Sequence, residues 1–300
     1  MTRDQKPAEE YPDMAAATAI APTPLRFEDR YKKLEVDQGA GRKFYVQVWH
    51  YRNNSSTTTG HETVEAKAKA MGPLIAKVRE ASRKDLGLKH APHGSHLSVR
   101  KSDAEIEPGG SLYSPGIAFE DVDTASIVRT FVGKGTPGDI AGTLRLALRY
   151  GLVKPDTASL QAYCDTYIGL DCSGFVGNYL NEALGAGIDV METEAASYRE
   201  PVGNRRRTIE SIRENDTLAW AHTNHVAVID SIGADWLQHF ANKAQVSTMK
   251  GMQVVVVESN GGKGLNHDTY TVKSVDAHGV FKVRRSYQAN DMSVYITSRP

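Results

Sequence analysis

Apolar residues in the C-terminal half of the chain recur first at helical spacing and then at strand spacing. Asp171 is a good N-cap and Gly185 a natural stop, and between them apolar steps of three and four residues predict an amphipathic helix. We expect its buried face to comprise Phe175, Val176, Tyr179, Leu180 and Leu184. The apolar runs that follow predict strands at residues 225–232, 253–259, 269–274, 279–283 and 292–296. Helices followed by strands favour an α+β fold in which this helix packs on an antiparallel sheet.

Two further helices are predicted upstream. Thr136 supplies an N-cap, Pro137 the first helical position and Asp139 an acid in the first turn, and a stripe of apolar residues follows them. A second helical segment covers residues 157–167. Cys164 lies on its apolar face, so we expect this cysteine to be a small core residue, as buried free cysteines usually are.

The N-terminal part of the chain begins with a polar segment and continues with predicted structure. Residues 1–24 mix charges, prolines and alanines without apolar periodicity, which is typical of a flexible leader. Residues 43–51 alternate like a half-buried strand. Two helical segments follow, which we expect to be separated at Gly72-Pro73 and stopped at Gly87.

Turn-forming residues then mark a boundary between two predicted domains. They crowd residues 107–116, which we interpret as an interdomain connection or a lip over the site. We therefore predict an accessory α/β lobe at residues 25–120 and a second domain at residues 121–300. Between Arg26 and Lys101 the chain has 16 Lys and Arg residues against 8 Asp and Glu residues. This basic surplus is typical of a solvated surface, although it also suits an anionic polymer as a partner.

Composition limits the class of protein. The chain has 300 residues, 40% of them apolar, and a formal net charge of zero, which suits one or two globular domains. The N-terminus lacks the apolar region of a secretory signal, and no apolar run is long enough to span a bilayer. We therefore expect synthesis in the cytoplasm without a signal peptide, and no membrane span. In such a reducing compartment Cys164 and Cys172 are expected to be free thiols.

Three histidines lie close together in the N-terminal half. His90, His93 and His96 have a spacing that suits a metal ion only if they lie on a helix, and Pro92 and Gly94 interrupt them. We interpret them as ordinary histidines of a loop. The sequence therefore predicts neither a metal site nor a cofactor.

The predicted helix and the strands after it carry a set of chemically active side chains. Cys172 begins the helix, where unpaired N–H groups and the positive end of the macrodipole favour a thiolate. His225 leads the first apolar strand and is the candidate base, preferred over His222, which precedes the strand. Glu258 and Asn260 share one face of the next strand, and either can orient the imidazole. The order of cysteine, histidine and then acid or amide is typical of cysteine-based acyl transfer.

These residues resemble a known family. Residues 171–176, Asp-Cys-Ser-Gly-Phe-Val, resemble the nucleophile motif of the NlpC/P60 superfamily of papain-like cysteine peptidases and amidases. Residues 224–228 resemble its base strand, and residues 215–220 are similar to the segment that precedes that strand. Glu258 and Asn260 are closer to the related CHAP amidases, in which an acid and an amide two residues apart follow the histidine. The chain lacks the Tyr-x-Trp-Gly-Gly segment usual before the nucleophile and the third-position histidine of many members.

The resemblance implies a papain-like NlpC/P60 fold and a cysteine amidase or endopeptidase. Its implied substrate is peptidoglycan, cut in stem peptides or crossbridges, and its implied catalytic set is Cys172, His225, Glu258 and Asn260. Two alternatives stay open: a papain-like hydrolase or acyltransferase of protein or lipid-acyl substrates, and an inactive binding module. We expect a delivery or immunity protein as a partner, and no nucleic acid.

Two consequences concern location and the N-terminal lobe. A wall substrate together with the lack of a signal implies non-classical export and action outside the cell or in the periplasm. The lobe at residues 25–120 is expected to position the enzyme on its target and to contribute little to the chemistry. The alternative is that it completes the wall of the cleft, in which case a chain beginning near residue 122 would expose apolar surface and aggregate.

Overall fold

The computed structural model describes residues 21–39, 41–52, 64–85, 124–234 and 251–298. The leader up to residue 20, the histidines at positions 90, 93 and 96, and the turn-rich segment at 107–116 lie outside the described residues. The predictions made for those three segments stay predictions.

Most of the described helices come before the main run of strands. The helices are α1 (Pro24–Lys32), α2 (Val64–Asp85), α3 (Thr124–Phe131), α4 (Pro137–Arg149), α5 (Thr157–Tyr167) and α6 (Cys172–Leu184). The caps predicted from sequence are confirmed in two of them. Thr136 and Asp139 form a reciprocal capping box at the start of α4, and α6 begins after the Asp171 N-cap and ends at Gly185 in the left-handed conformation.

The described strands form a small hairpin and a closed barrel. The strands are β1 (Leu34–Gly39), β2 (Arg42–Val46), β3 (Thr217–Trp220), β4 (Val226–Ile232), β5 (Met252–Asn260), β6 (Gly264–Val275), β7 (Val280–Arg285) and β8 (Met292–Thr297). β1 pairs with β2, and β3 to β8 form an antiparallel barrel in chain order. The sequence did not predict β3, which pairs with both β4 and β8 and so closes the sheet. The fold is therefore mixed α/β, with a barrel as its main sheet.

The strand β4 separates two apolar cores. Val226 and Val228 face the helices, whereas Ala227 and Ile229 face the barrel interior. A strand that is buried on both faces reads as a continuous apolar run, which explains why the sequence here does not alternate. The helix α6 packs on the outer face of β4 and β5. This packing brings the start of α6 to the same region as the ends of those strands.

The helix α1 belongs to the same core as α6. The ring of Phe27 lies 5.8 Å from that of Phe175 and 5.7 Å from that of Tyr179, between centroids. Tyr31 packs edge-on against Phe27 at 5.4 Å. The described residues of the segment 24–52 therefore contribute to the core under α6, and the division into an accessory lobe at 25–120 and a second domain stays a prediction. A short helix with few apolar residues gave no periodicity from which this packing could be predicted.

The helix α2 is continuous where a break was expected. Pro73 lies inside it, although an interior proline removes one backbone hydrogen bond and costs about 3 kcal/mol. Leu74 and Val78 are fully buried and share a core cluster with Ile127 and Phe131 of α3. This burial offsets the cost of the proline, so tertiary packing overrides the local signal.

The three arginines at positions 205–207 are structural. Arg206 makes a two-pronged ion pair with Asp216, with both N···O distances at 2.8 Å. Arg205 lies over the ring of Tyr295 at 4.0 Å, and Arg207 donates to the backbone carbonyl of His278. These side chains fasten the connection before β3 to the barrel.

Among the residues that the structure describes, no helix combines the length and the apolar character needed to cross a bilayer.

The packing of α1 leads to a stability prediction. We expect Phe27→Ala to lower the free energy of unfolding by about 3–5 kcal/mol, because it removes a buried ring and leaves a cavity against α6. Urea denaturation would measure the change. The control is Leu152→Ala, at a residue 37% exposed, which should change stability by less than about 0.5 kcal/mol. Equal effects of the two variants would contradict the inclusion of α1 in the core.

Candidate active site

The nucleophile candidate Cys172 is the first residue of α6. Its side chain is nearly buried, with 4% of the residue exposed, and its Sγ lies 4.0 Å from the backbone carbonyl oxygen of Asn224. Asp171 accepts a hydrogen bond from the Gly174 N–H and thereby caps the helix. The first-turn N–H groups of a helix lack acceptors within the helix, and they favour negative charge at Cys172.

A glycine contact fixes the start of α6 against the chain before α4. The Asp171 N–H donates to the Gly133 carbonyl at 2.9 Å, and a Cβ at position 174 would collide with that same carbonyl oxygen. Glycine at position 174 is therefore required by the close approach of the two backbones. This gives a tertiary reason for the glycine of the Asp-Cys-Ser-Gly sequence.

Lys134 is a buried cation beside the nucleophile. Its Nζ lies 3.1 Å from Asp171 Oδ2, donates to Ser173 Oγ at 2.5 Å and donates to the Thr193 backbone carbonyl at 3.2 Å. Burial raises the pKa of Asp171, and the charge of Lys134 opposes that rise. Lys134 thus connects the cap of α6 to the loop that carries Thr193. Sequence reasoning missed it, because nothing local distinguishes this lysine from a surface one.

His225 lies directly before β4 and is held on two sides. Its Nε2 lies 2.6 Å from Glu258 Oε2, and the edge of its ring meets the Trp220 indole at 4.4 Å between centroids. Burial alone would lower the pKa of His225, but hydrogen bonding to Cys172 and to Glu258 raises it to about 9. The structure therefore brings the predicted base to the predicted nucleophile.

Glu258 lies at the barrel mouth with 0% of the residue exposed. It accepts hydrogen bonds from Tyr270 Oη at 2.7 Å and from Arg285 Nη2 at 2.6 Å, in addition to its contact with His225. Burial would raise the pKa of Glu258, but the bond to His225 and the nearby cations lower it. An ionised carboxylate only accepts hydrogen bonds, so Nε2 of His225 donates. That leaves Nδ1 to exchange a proton with Cys172.

Asn260 has a different environment from Glu258, although both were candidates for the third position. Its Oδ1 accepts the backbone N–H groups of Gly262 at 3.0 Å and Lys263 at 2.8 Å. These bonds shape the turn between β5 and β6. The expected alternation is observed, since Ser259 points the other way and donates to the Leu170 carbonyl at 2.7 Å. The structure brings Glu258, not Asn260, into contact with the imidazole.

Two cavities flank the pair formed by Cys172 and His225. The cavity on the cysteine side has a volume of about 450 Å³ and includes Tyr51, Lys134 and Glu194. The cavity on the histidine side has a volume of about 510 Å³. Its lining residues are Trp220, Thr223, His225, Asn260, Gly261, Gly262, Lys263, Arg285, Tyr287 and Gln288.

Tyr51 is a site residue from the N-terminal segment. The Arg52 N–H donates to the Leu170 carbonyl at 3.0 Å, and the Leu170 N–H donates to the His50 carbonyl at 2.9 Å. These bonds align residues 50–52 with the chain just before Cys172. Of the two expectations for the N-terminal region, this geometry favours a contribution to the cleft wall.

The comparisons with known proteins leave the family open. No family model, no curated protein and no solved structure matches this chain. The resemblance to the NlpC/P60 superfamily therefore depends on the residues quoted above.

The contact between His225 and Glu258 leads to a prediction about charge. We expect Glu258→Gln to lower the pKa of His225 from about 9 towards its usual value of about 6.5, because the neutral amide no longer stabilises the imidazolium. NMR titration of the His225 ring would measure the change. The matched control is Glu80→Gln, which removes a half-exposed glutamate of α2 and should leave the titration unchanged.

The same shift sets the sign of the pH dependence of stability. The folded pKa of about 9 lies above the unfolded value, so the imidazolium contributes stability that is complete below about pH 6.5. This contribution is lost as the pH rises through about 9.

An unaltered His225 titration in the Glu258→Gln variant would contradict the contact assigned between Glu258 and His225.

Proposed function

We propose that this protein is a cysteine amidase or endopeptidase that hydrolyses amide bonds of peptidoglycan stem peptides or crossbridges. One observation carries the proposal: a thiol at a helix start, a histidine and a buried carboxylate form a continuous hydrogen-bonded series at the junction of two open cavities. A nucleophile, a base and a group that orients the base are the parts that covalent acyl transfer requires. The peptidoglycan substrate rests on the sequence resemblance.

The raised pKa of His225 means that the imidazole already carries its proton at neutral pH, so acylation begins from the form in which Cys172 is the thiolate. The thiolate attacks the amide carbonyl carbon and forms a C–S bond, and the carbonyl oxygen takes the negative charge. When the tetrahedral intermediate collapses, His225 gives its proton to the amide nitrogen and the C–N bond breaks. The amine leaves, and the acyl group stays on Cys172 as a thioester.

Deacylation returns the enzyme to its starting state. His225, now neutral, takes a proton from a water molecule, whose oxygen attacks the thioester carbonyl. The C–S bond breaks and the acid product leaves, so that Cys172 is again the thiolate and His225 again carries the proton. Glu258 keeps the ring in one orientation through both half-reactions and stabilises its charged form.

The oxyanion requires hydrogen-bond donors beside Cys172. The first-turn N–H groups of α6 lie next to the sulfur, and the Asp171 carboxylate occupies that of Gly174. The N–H of Cys172 itself is the proposed first donor. Removing one such donor typically reduces the rate by about a hundredfold or more, so the position of the helix start relative to the substrate controls the reaction.

The first test concerns the nucleophile. We expect Cys172→Ala to abolish hydrolysis and to remove the iodoacetamide adduct formed at neutral pH, measured by intact-protein mass spectrometry. Cys164→Ala is the matched control, because that thiol is 1% exposed and burial raises its pKa strongly. It should retain both activity and the adduct. Hydrolysis by a folded Cys172→Ala variant would refute the mechanism.

The second test concerns the substrate. We expect digestion of purified cell-wall sacculi to release fragments with new amino and carboxyl termini, which mass spectrometry would identify together with the bond cut. His225→Ala, folded but lacking the proton carrier, should leave the sacculi intact. Intact sacculi after treatment with the wild-type protein, together with an alkylatable Cys172, would exclude peptidoglycan and leave a protein or lipid-acyl substrate.

A further inference from the structure

The cavity on the histidine side is rich in cations and aromatic rings. Lys263 and Arg285 line it, together with Trp220 and Tyr287. None of the described residues that line it carries a carboxylate. The nearby carboxylate of Glu258 is fully buried and does not reach the surface of the cavity. The surface that meets a ligand here therefore presents positive charge.

The ring of Tyr287 lies near both cations of this cavity. Lys263 Nζ lies 3.4 Å from the centroid of its ring, and the Arg285 guanidinium lies 5.9 Å from it. Arg285 is bonded to Glu258 through its Nη2 and to Tyr270 through its Nε, and its side chain is only 11% exposed. Lys263, whose side chain is 45% exposed, is thus the more accessible of the two cations for a ligand.

The partner of Lys263 does not prevent ligand binding. Its Nζ lies 3.1 Å from Asp268 Oδ2, and the lysine side chain is 45% exposed. An ion pair that reaches solvent to this extent contributes at most about 1 kcal/mol. An ammonium group has three donors, so Lys263 can hold Asp268 and still bind a second oxygen anion.

The chemistry of the reaction decides which part of a substrate meets this cavity. His225 protonates the leaving nitrogen, so the amine product must lie on the histidine side while the acyl part lies on the cysteine side. We infer that the leaving amine carries a carboxylate, which binds Lys263. The inference rests on the proposed function and specifies its substrate: the bond cut is one whose nitrogen belongs to an amino acid with a free carboxylate close to that nitrogen.

Hydrolysis gives the first test. Two stem-peptide substrates would share one acyl part and differ only in the leaving residue, which ends in a carboxylate in one and a carboxamide in the other. We expect the wild-type protein to prefer the carboxylate by about fivefold in kcat/KM, as suits one exposed ion pair. Lys263→Gln should remove the preference by raising KM for the carboxylate substrate and leave the carboxamide substrate unchanged.

Two further variants make the result specific. Tyr287→Leu removes the ring under the ammonium and should weaken the preference without abolishing hydrolysis. Lys282→Gln is the matched control, because Lys282 is an exposed lysine of β7 that donates to Ser293 and does not line the cavity. It should keep the wild-type preference. A rise in salt from 0.05 M to 0.5 M should reduce the preference in the wild type, since salt screens an exposed pair.

Binding gives a second test that does not require turnover. NMR titration of Cys172→Ala with alanine and with alaninamide compares the two leaving-group mimics directly. We expect tighter binding of the acid, and equal binding of both when Lys263→Gln is added.

The two tests separate failure of the inference from failure of the proposed function. Equal hydrolysis of both substrates, or equal binding of both mimics to Cys172→Ala, would overturn the carboxylate site while the hydrolase stands. Binding that favours the acid through Lys263, with no hydrolysis of either substrate, would support the site and refute the hydrolase.

Discussion

The burial of one carboxylate, that of Glu258, constrains how the elements around the candidate site are arranged. Glu258 has no exposed surface, and a buried charge is stable only when hydrogen bonds and opposite charges replace the lost water. Tyr270, Arg285 and His225 supply them, each from a different element. Those elements, β6, β7 and the residue before β4, therefore meet at one end of the barrel, and the base lies there with them.

The nucleophile reaches this point through a second set of buried polar contacts. Asp171 caps α6 and pairs with Lys134, which also donates to the loop at Thr193. The contact between Gly133 and Asp171 permits only glycine at position 174. These contacts thus fix the start of α6, and the helix packs on β4 and β5. This leaves the sulfur at the junction of the two cavities.

The N-terminal segment is part of the candidate site. Phe27 and Tyr31 complete the core under α6, and the bonds between residues 50–52 and Leu170 bring Tyr51 to the cysteine side. A division of the chain near residue 120 would separate both contributions from the helix they support. The excess of Lys and Arg over Asp and Glu between residues 26 and 101 therefore begins in a segment that also contributes to the cleft.

The sequence by itself determined the features that depend on neighbouring residues. The caps of α4 and α6, the burial of Cys164 and the alternation that sets Ser259 apart from Glu258 follow from local periodicity and backbone chemistry. Only the tertiary structure showed that Glu258 contacts the imidazole, whereas the Asn260 oxygen accepts the N–H groups of its own turn. It alone also revealed Lys134 and Arg285 as partners and closed the barrel through β3. These contacts join residues far apart in the chain, and distant pairs leave no periodic signal in a single sequence.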